Sequence, residues 1–190
     1  MLFKIKSYLY FLWKSTNQHG VHSPFVYNLV TKCFYDREKR ASYESILSIY
    51  RNNTSGISLK NVKLLNRLIA YFNYKKVLIV ENSSNFIGQI LSIDNSATIY
   101  YSPEDLDQFD CIYLDIDQFK KHPEFLDILF SKVRNDSLLL LHSINKSKEN
   151  QTIWQQLQNH SKIKVTIDTY DFGFVFFRKE QEKEHFIIRA

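Results

Sequence analysis

Short apolar runs alternate with amphipathic segments through the second part of the chain, and this alternation constrains the fold more than any other feature. The runs predicted to be strands are residues 77–80, 98–101, 111–115 and 138–141. The last run is apolar without a break, which is typical of a strand buried on both faces of a parallel sheet. The pattern predicts an α/β fold in which helices connect parallel strands.

The end of the chain departs from this rhythm. Residues 163–169 alternate between apolar and polar side chains, and residues 172–177 follow after a tight turn at Tyr170 and Asp171. Two such runs around a tight turn predict an antiparallel hairpin. Residues 186–188 are one further short strand segment. We therefore predict a mainly parallel sheet of about six strands with a C-terminal antiparallel hairpin.

Four helices are predicted before the first strand, at residues 2–15, 24–35, 42–51 and 58–72. Ser23 and Pro24 are a strong helix start, because a serine hydroxyl accepts hydrogen bonds from free N–H groups and proline suits the first helical position. The first helix is amphipathic and either docks on the body or lies on a membrane. We expect residues 1–74 to form a helical extension packed on an α/β domain at 75–190.

Charge is distributed unevenly along the chain. Residues 1–76 hold 13 Lys and Arg against 3 Asp and Glu, whereas residues 77–190 hold 12 against 17. A basic front part either complements the acidic body or contacts anionic lipid, nucleic acid or an acidic partner. The residues that could form a basic patch are Lys39, Arg40, Lys60, Lys63, Arg67, Lys75 and Lys76, although no nucleic-acid motif accompanies them.

The cysteines and histidines do not predict a metal site. Cys33 and Cys111 lie far apart without metal-type spacing, which is typical of a reduced, cytoplasmic protein. His19 and His22 lie three residues apart, but no third ligand is evident near them, so we predict that they order a turn. No apolar run approaches the ~20 residues that a membrane-spanning helix needs.

The stretch at residues 75–88 is a candidate ligand site. A short apolar run ends in Glu81, a polar turn follows, and a helix opens near Phe86. A strand, turn and helix in this order bind nucleotides in α/β proteins, because the helix N-terminus offers free N–H groups and the positive end of its dipole. Such a turn normally contains several glycines, and here only Gly88 is present.

Two phrases near the ends of the chain carry a family resemblance. The first is His-Gly-Val-His-Ser-Pro-Phe at residues 19–25, and the second runs from Val165 through Gly-Phe-Val-Phe-Phe-Arg-Lys-Glu-Gln at 173–181 to Phe186. In these phrases the chain resembles class I S-adenosylmethionine-dependent methyltransferases, and in particular a bacterial O-methyltransferase-like group. The resemblance spans nearly the whole chain and implies a Rossmann-like methyltransferase fold with an N-terminal helical extension.

The resemblance also implies which residues form the site. Those implied for binding S-adenosylmethionine are Glu81, Ser83, Ser84, Gly88, Tyr100 and Tyr101. Of the family's other site acids, Asp115 remains, with Asp117 beside it. If the chain is catalytic, His142 would act as the base for an acceptor hydroxyl. No metal is expected.

Several departures from the family's pattern remove groups that hold the cofactor. Ser83 and Ile87 stand where the family has glycines, and Tyr100 stands where an acid takes both ribose hydroxyls. A non-glycine residue at positive φ costs roughly 1–2 kcal/mol, and a lost charged acceptor costs about 1.5–3 kcal/mol. Affinity is therefore expected to fall by roughly 10² to 10³. His142 and Ser143 replace an Asp-Asp pair, and residues 102–109 replace a helix–strand unit.

Three functions remain open. The first is a degenerate methyltransferase relative with weak or lost cofactor binding and a binding or scaffold role, as a homodimer or with a protein partner. The second is an active S-adenosylmethionine-dependent O-methyltransferase that acts on a small or surface hydroxyl acceptor. The third is RNA or anionic-membrane binding through the basic N-terminal region.

Overall fold

The computed structural model describes residues 2–52, 56–80, 85–122 and 124–190. The helices within these residues are α1 (Leu2–Lys14), α2 (Pro24–Leu29), α3 (Ser42–Tyr50), α4 (Leu59–Phe72), α5 (Phe86–Ser92), α6 (Gln118–Lys121), α7 (Phe125–Ser131) and α8 (Lys148–Asn159). A 3-10 turn spans Gln18–Gly20, and α2 continues as a π-helix over Val30–Phe34. The four helices predicted before the first strand are confirmed. The predicted start of α2 is also confirmed, since Ser23 caps it and Pro24 opens it.

Seven strands in the described residues form one sheet. They are β1 (Lys76–Val80), β2 (Thr98–Tyr100), β3 (Phe109–Asp115), β4 (Val133–His142), β5 (Val165–Asp168), β6 (Phe172–Phe176) and β7 (Glu184–Ile187). Their order across the sheet is β2-β1-β3-β4-β6-β5-β7. Strands β1 to β4 are parallel, whereas β6 runs antiparallel to both β4 and β5. The mainly parallel sheet and its C-terminal hairpin are confirmed, with β7 as the seventh strand beside β5.

Alternate residues of the central strands face two separate apolar layers. In β1, Val77 and Ile79 pack with α4 and α5 on one side, while Leu78 packs with α7 and α8 on the other. This period of two follows from the pleat of a strand. Burial on both faces explains why the central strands are continuously apolar.

Helices α2, α3 and α4 pack against the apolar layer that contains Val77 and Ile79. Buried side chains of α2, α3 and α4 belong to the same apolar cluster as the sheet. Arg67 of α4 is buried and donates hydrogen bonds to the carbonyl oxygens of Cys33, at 3.0 Å, and Phe34, at 3.3 Å. These bonds satisfy carbonyls at the end of the π-helix, which would otherwise lack partners. The domain boundary at residue 74 stays a prediction.

The two ends of the parallel strands, which we call the carboxyl edge and the amino edge, differ in composition. The carboxyl edge, where β1 to β4 end, carries Tyr100, Asp115 and His142. The amino edge, where these strands begin, lies beside the end of β6, because Phe176 pairs with Leu138. Residues 101–108, between β2 and β3, contain no helix or strand. Strand β2 is therefore the outermost strand on its side of the sheet, directly beside β1.

Candidate functional site

One part of the candidate site lies between the ends of β1 and β2. Tyr101 follows β2 directly, and its hydroxyl contacts Asn85 Oδ1 at the start of α5. The same hydroxyl lies over Gly88, where an added Cβ would collide with it and with Asn85 Oδ1. Gly88 therefore leaves room for the close approach of Tyr101. This contact joins the residue after β2 to the start of α5, and we call its position at the carboxyl ends of the two strands the crevice between β1 and β2.

Tyr100 turns away from this crevice toward the second apolar layer. It is partly buried, and its ring centroid lies 5.7 Å from that of Phe109 in an edge-on arrangement. The next acids along the chain, Glu104 and Asp105, belong to the turn after β2. There Asp105 Oδ2 accepts a hydrogen bond from the Ser102 amide at 3.2 Å. Strand β2 thus ends in an aromatic residue that packs in the core.

Three of the residues implied for cofactor binding are not described by the structure. Glu81, Ser83 and Ser84 lie outside the described residues. The roles implied for them stay predictions, and the geometry of the β1–β2 crevice rests on Asn85, Gly88 and the two tyrosines.

The second part of the candidate site lies at the ends of β3 and β4, which pair so that Asp115 stands beside His142. Ser143 Oγ donates a hydrogen bond to Asp115 Oδ2 at 2.8 Å. His142 Nδ1 lies 3.4 Å from the same carboxylate oxygen and 3.3 Å from Ser143 Oγ. The structure therefore brings together the two residues implied for catalysis and adds Ser143 to them.

Backbone geometry holds Ser143 in this position. Its φ is +67°, in the left-handed region that non-glycine residues rarely adopt. The Ser143 amide donates to the carbonyl oxygen of Asp171 at 2.8 Å, and the Asn150 side chain donates to the Ser143 carbonyl at 2.9 Å. These bonds connect the end of β4 to the hairpin turn and to α8.

The two acids at the end of β3, Asp115 and Asp117, are held in their charged forms. Burial acts to raise the pKa of Asp115, but hydrogen bonds from His142, the Asp117 amide and Ser143 outweigh it, so this pKa is lowered. Burial likewise opposes ionisation of Asp117, yet Lys120 and Lys146 lower its pKa to about 2. The Asp117 carboxylate lies 2.8 Å from Lys120 Nζ and 3.0 Å from Lys146 Nζ. Asp117 therefore joins α6 to the segment that leads into α8.

A cavity of about 320 Å³ opens beside Asp115, His142 and Ser143. Its other walls include Lys4 of α1 and Tyr170 of the hairpin turn. Sequence reasoning did not place Lys4 or Tyr170 here, because they come from opposite ends of the chain. The Tyr170 hydroxyl donates to the Lys4 carbonyl oxygen at 3.1 Å, which closes the wall.

A buried acid that the sequence pattern did not reveal lies next to this cavity. Asp168, at the end of β5, accepts hydrogen bonds from Asn145 Nδ2 at 3.2 Å and from the Tyr170 amide at 2.7 Å. Burial raises the pKa of Asp168 to about 6, although these two bonds act to lower it. In the sequence, Asp168 is an ordinary polar position of an alternating strand, so nothing there signals its burial.

The two phrases that carry the family resemblance meet at the amino edge. Ser23 Oγ donates to Gln181 Oε1 at 3.2 Å. The Arg178 guanidinium lies 4.6 Å from the centre of the Phe25 ring, and Phe25 packs edge-on against Phe176 at 4.9 Å. We call Ser23, Phe25, Phe176, Arg178 and Gln181 the amino-edge cluster. It lies at the opposite end of the strands from the crevice.

The remaining surface predictions have mixed outcomes. Arg67 is buried, so it does not belong to a basic surface patch, and the prediction that included it there is wrong. His19 and His22 are exposed, and no group of three or more His, Cys, Asp or Glu side chains in the described ranges is placed to hold a metal ion. None of the described helices has the length and apolar character needed to cross a membrane.

Comparisons with known proteins bear on the fold. No family model matches the chain, and no curated protein matches it either. Among solved structures, a methyltransferase from Geobacter sulfurreducens has a TM-score of 0.55 at 10% identity, covering 76% of this chain and 93% of its own. The SAH-bound methyltransferase PaMTH1 from Podospora anserina has a TM-score of 0.55 at 9% identity, covering 83% and 97%.

A third solved structure agrees with these two. Cofactor-bound Rv0187 from MTB has a TM-score of 0.54 at 11% identity and covers 75% of this chain and 92% of its own. At such low identity these likenesses concern the fold alone. The chain has a Rossmann-like methyltransferase fold, and the predicted resemblance is confirmed at the level of the fold.

Proposed function

We propose that this chain is a methyltransferase-fold protein that binds S-adenosylmethionine weakly or not at all and acts through a binding or scaffold role. The observation that carries the proposal is the position of Tyr101. Its hydroxyl contacts Asn85 and lies over Gly88, at the helix start where proteins of this fold receive their cofactor. A ligand that enters there must first displace the tyrosine.

The end of β2 supports the same proposal. A carboxylate at this position would accept hydrogen bonds from both ribose hydroxyls, and charge-assisted bonds of this kind contribute about 1.5–3 kcal/mol. Tyr100 supplies no carboxylate, and its ring packs against that of Phe109. Asp105 is the nearest alternative along this turn, but it already accepts from the Ser102 amide. The described residues therefore fit the cofactor poorly on the ribose side.

A second candidate function is active O-methyl transfer to a hydroxyl acceptor, and the cluster at the ends of β3 and β4 favours it. When bound, S-adenosylmethionine would supply the methyl group. His142 would take the acceptor proton, and Asp115, 3.4 Å from Nδ1, would stabilise the imidazolium that forms. The adjoining cavity of about 320 Å³ has room for a small acceptor.

Calorimetric titration separates the two candidates. We expect no heat of binding from S-adenosylmethionine or S-adenosylhomocysteine up to about 1 mM, which corresponds to less than about 4 kcal/mol of binding free energy. Micromolar binding of either compound would contradict the proposal that the protein binds S-adenosylmethionine weakly or not at all. Transfer of a labelled methyl group to hydroxyl acceptors, lost in His142→Ala but not in the exposed-surface variant His122→Ala, would establish the second candidate instead.

A further inference from the structure

The outward face of α1 is an exposed apolar stripe. Leu2, Ile5, Leu9 and Trp13 are 70%, 55%, 59% and 75% exposed. Their spacing of three, four and four residues places them on one face of the helix. We call these four residues the α1 stripe. Exposing large apolar side chains to water is unfavourable, so contact with another apolar surface would stabilise a helix face of this kind.

The opposite face of α1 already docks on the body. Ser7 and Phe11 are buried, and each lies two residues, or about 200° around the helix, from Leu9. Gln151 Nε2 donates to Ser7 Oγ at 3.0 Å, and the Phe11 ring packs against Tyr170 at 5.4 Å. The docked face fixes the helix on the protein, so the α1 stripe points away from it.

The stripe is unusual for this molecule. Six of the eleven large apolar side chains that are exposed among the described residues lie on α1. The other five are scattered over separate parts of the chain: Tyr27, Leu47, Tyr71, Tyr101 and Ile128. Single exposed apolar residues are normal, whereas a contiguous apolar patch marks a surface that contacts a partner.

Charge indicates which partner fits. Helix α1 carries Lys4, Lys6 and Lys14, and residues 2–35 contain no acidic residue. A second copy packed through the same face would bring two sets of lysines together with no acid from this region to offset them. An anionic lipid surface complements the lysines and also accepts the apolar stripe at the boundary between headgroups and acyl chains.

The aromatic residues of α1 agree with this partner. Trp13 and Tyr10 are exposed and lie 6.1 Å apart between ring centroids, and Lys14 Nζ stands 4.5 Å from the Trp13 ring. Tryptophan and tyrosine favour the level of lipid headgroups, where an apolar ring and a polar group are both accommodated. Lysine side chains near such rings reach outward to the headgroups.

We propose that α1 attaches this protein to the surface of an anionic lipid bilayer, with the α1 stripe inserted at the interface and Lys6 and Lys14 contacting the headgroups. The helix lies along the surface and does not span the bilayer. This inference is independent of cofactor binding, because it uses none of the residues of the crevice between β1 and β2.

The test uses the full chain and two kinds of vesicle, one of phosphatidylcholine alone and one of equal parts phosphatidylcholine and phosphatidylserine. We expect cosedimentation with the anionic vesicles only, weakened by added salt. Trp13 emission should shift to shorter wavelength on binding, whereas buried Trp154 should not respond. Leu9→Asp should weaken binding at least about tenfold, because it removes one inserted leucine. Each of Lys6→Gln and Lys14→Gln should weaken it about fivefold.

The matched control is Ile128→Asp, which places the same charge at an exposed apolar residue of α7 and should bind as the unchanged protein does. Circular dichroism confirms that each variant is folded. Equal binding to neutral and anionic vesicles, or unchanged binding of Leu9→Asp, would overturn the proposal. A dimer in solution that Leu9→Asp dissociates, without vesicle binding, would identify a second copy as the occupant and overturn it as well.

Discussion

The two edges of the sheet are held together in different ways. At the amino edge, several contacts join residues more than 150 positions apart in the two phrases: Ser23 to Gln181, Phe25 to Arg178, and Phe25 to Phe176. At the carboxyl edge, the crevice between β1 and β2 is spanned by Tyr101, which is 54% exposed. Removing one contact at the amino edge disturbs a packed cluster, whereas the contact of Tyr101 with Asn85 joins two exposed side chains.

This difference separates the residues that carry the family resemblance from the residues that would bind a cofactor. The residues through which the two phrases contact each other, the amino-edge cluster, lie at the amino edge, where they stabilise the fold. The residues that would bind a cofactor lie at the other edge, and there the sequence departs from the family's pattern. Likeness in the identifying phrases is therefore evidence for the fold and carries no evidence for catalysis.

The largest expected effect is a loss of stability caused by a substitution at the amino edge. Phe176 is buried at the end of β6 and contacts Phe25 and Phe72. Phe176→Ala should lower the free energy of unfolding by about 3–5 kcal/mol, because it removes a buried ring and leaves a cavity. Urea denaturation measures the change. Tyr27→Ala, an exposed aromatic on α2, is the control and should change stability by less than about 0.5 kcal/mol. A loss below about 1 kcal/mol for Phe176→Ala would show that the amino-edge cluster is not the stabilising element.

The second prediction concerns the pH dependence of stability, which titratable groups at the two edges affect differently. The amino edge carries exposed ion pairs of Arg178 with Asp136 and Glu180, which contribute little. At the carboxyl edge, burial raises the pKa of Asp168 to about 6. The folded protein therefore holds this proton more tightly than the unfolded chain. The stabilisation is complete below about pH 4 and is lost as pH rises through about 6, by about 3 kcal/mol in total.

Urea denaturation between about pH 4 and pH 8 measures this dependence, and Asp168→Asn should make stability fall less as pH rises. Asp117 does not interfere, because its lowered pKa of about 2 affects stability only at more acidic pH. Asp136→Asn at the amino edge is the control and should leave the slope unchanged. A pH dependence that is the same in Asp168→Asn as in the unchanged protein would contradict the role given to this carboxyl group.

The sequence predicted the fold better than the site. Apolar runs such as residues 138–141 indicate a central strand because burial on both faces excludes polar residues. Ser23 and Pro24 predicted the start of α2 from local hydrogen bonding alone. The pairing of Asp115 with His142 follows once the two strands are adjacent, so it was also within reach of the sequence.

What the sequence did not predict depends on contacts between distant residues. Tyr101 was interpreted as a cofactor residue by position, yet its reach to Asn85 depends on how β2 lies beside α5. Gly88 was interpreted as part of a ligand turn, yet it provides space for that tyrosine. The burial of Asp168 and of Arg67 likewise arises from neighbours supplied by other elements.

We propose that Tyr101 takes up space that a cofactor would need at the carboxyl edge. The most direct test is calorimetric titration of Tyr101→Ala with S-adenosylhomocysteine beside the unchanged protein, with Tyr27→Ala as the control. We predict measurable binding in Tyr101→Ala, at least about tenfold tighter than in the other two proteins, which corresponds to about 1.4 kcal/mol. Equal affinity in all three proteins, whether tight or undetectable, would contradict the claim.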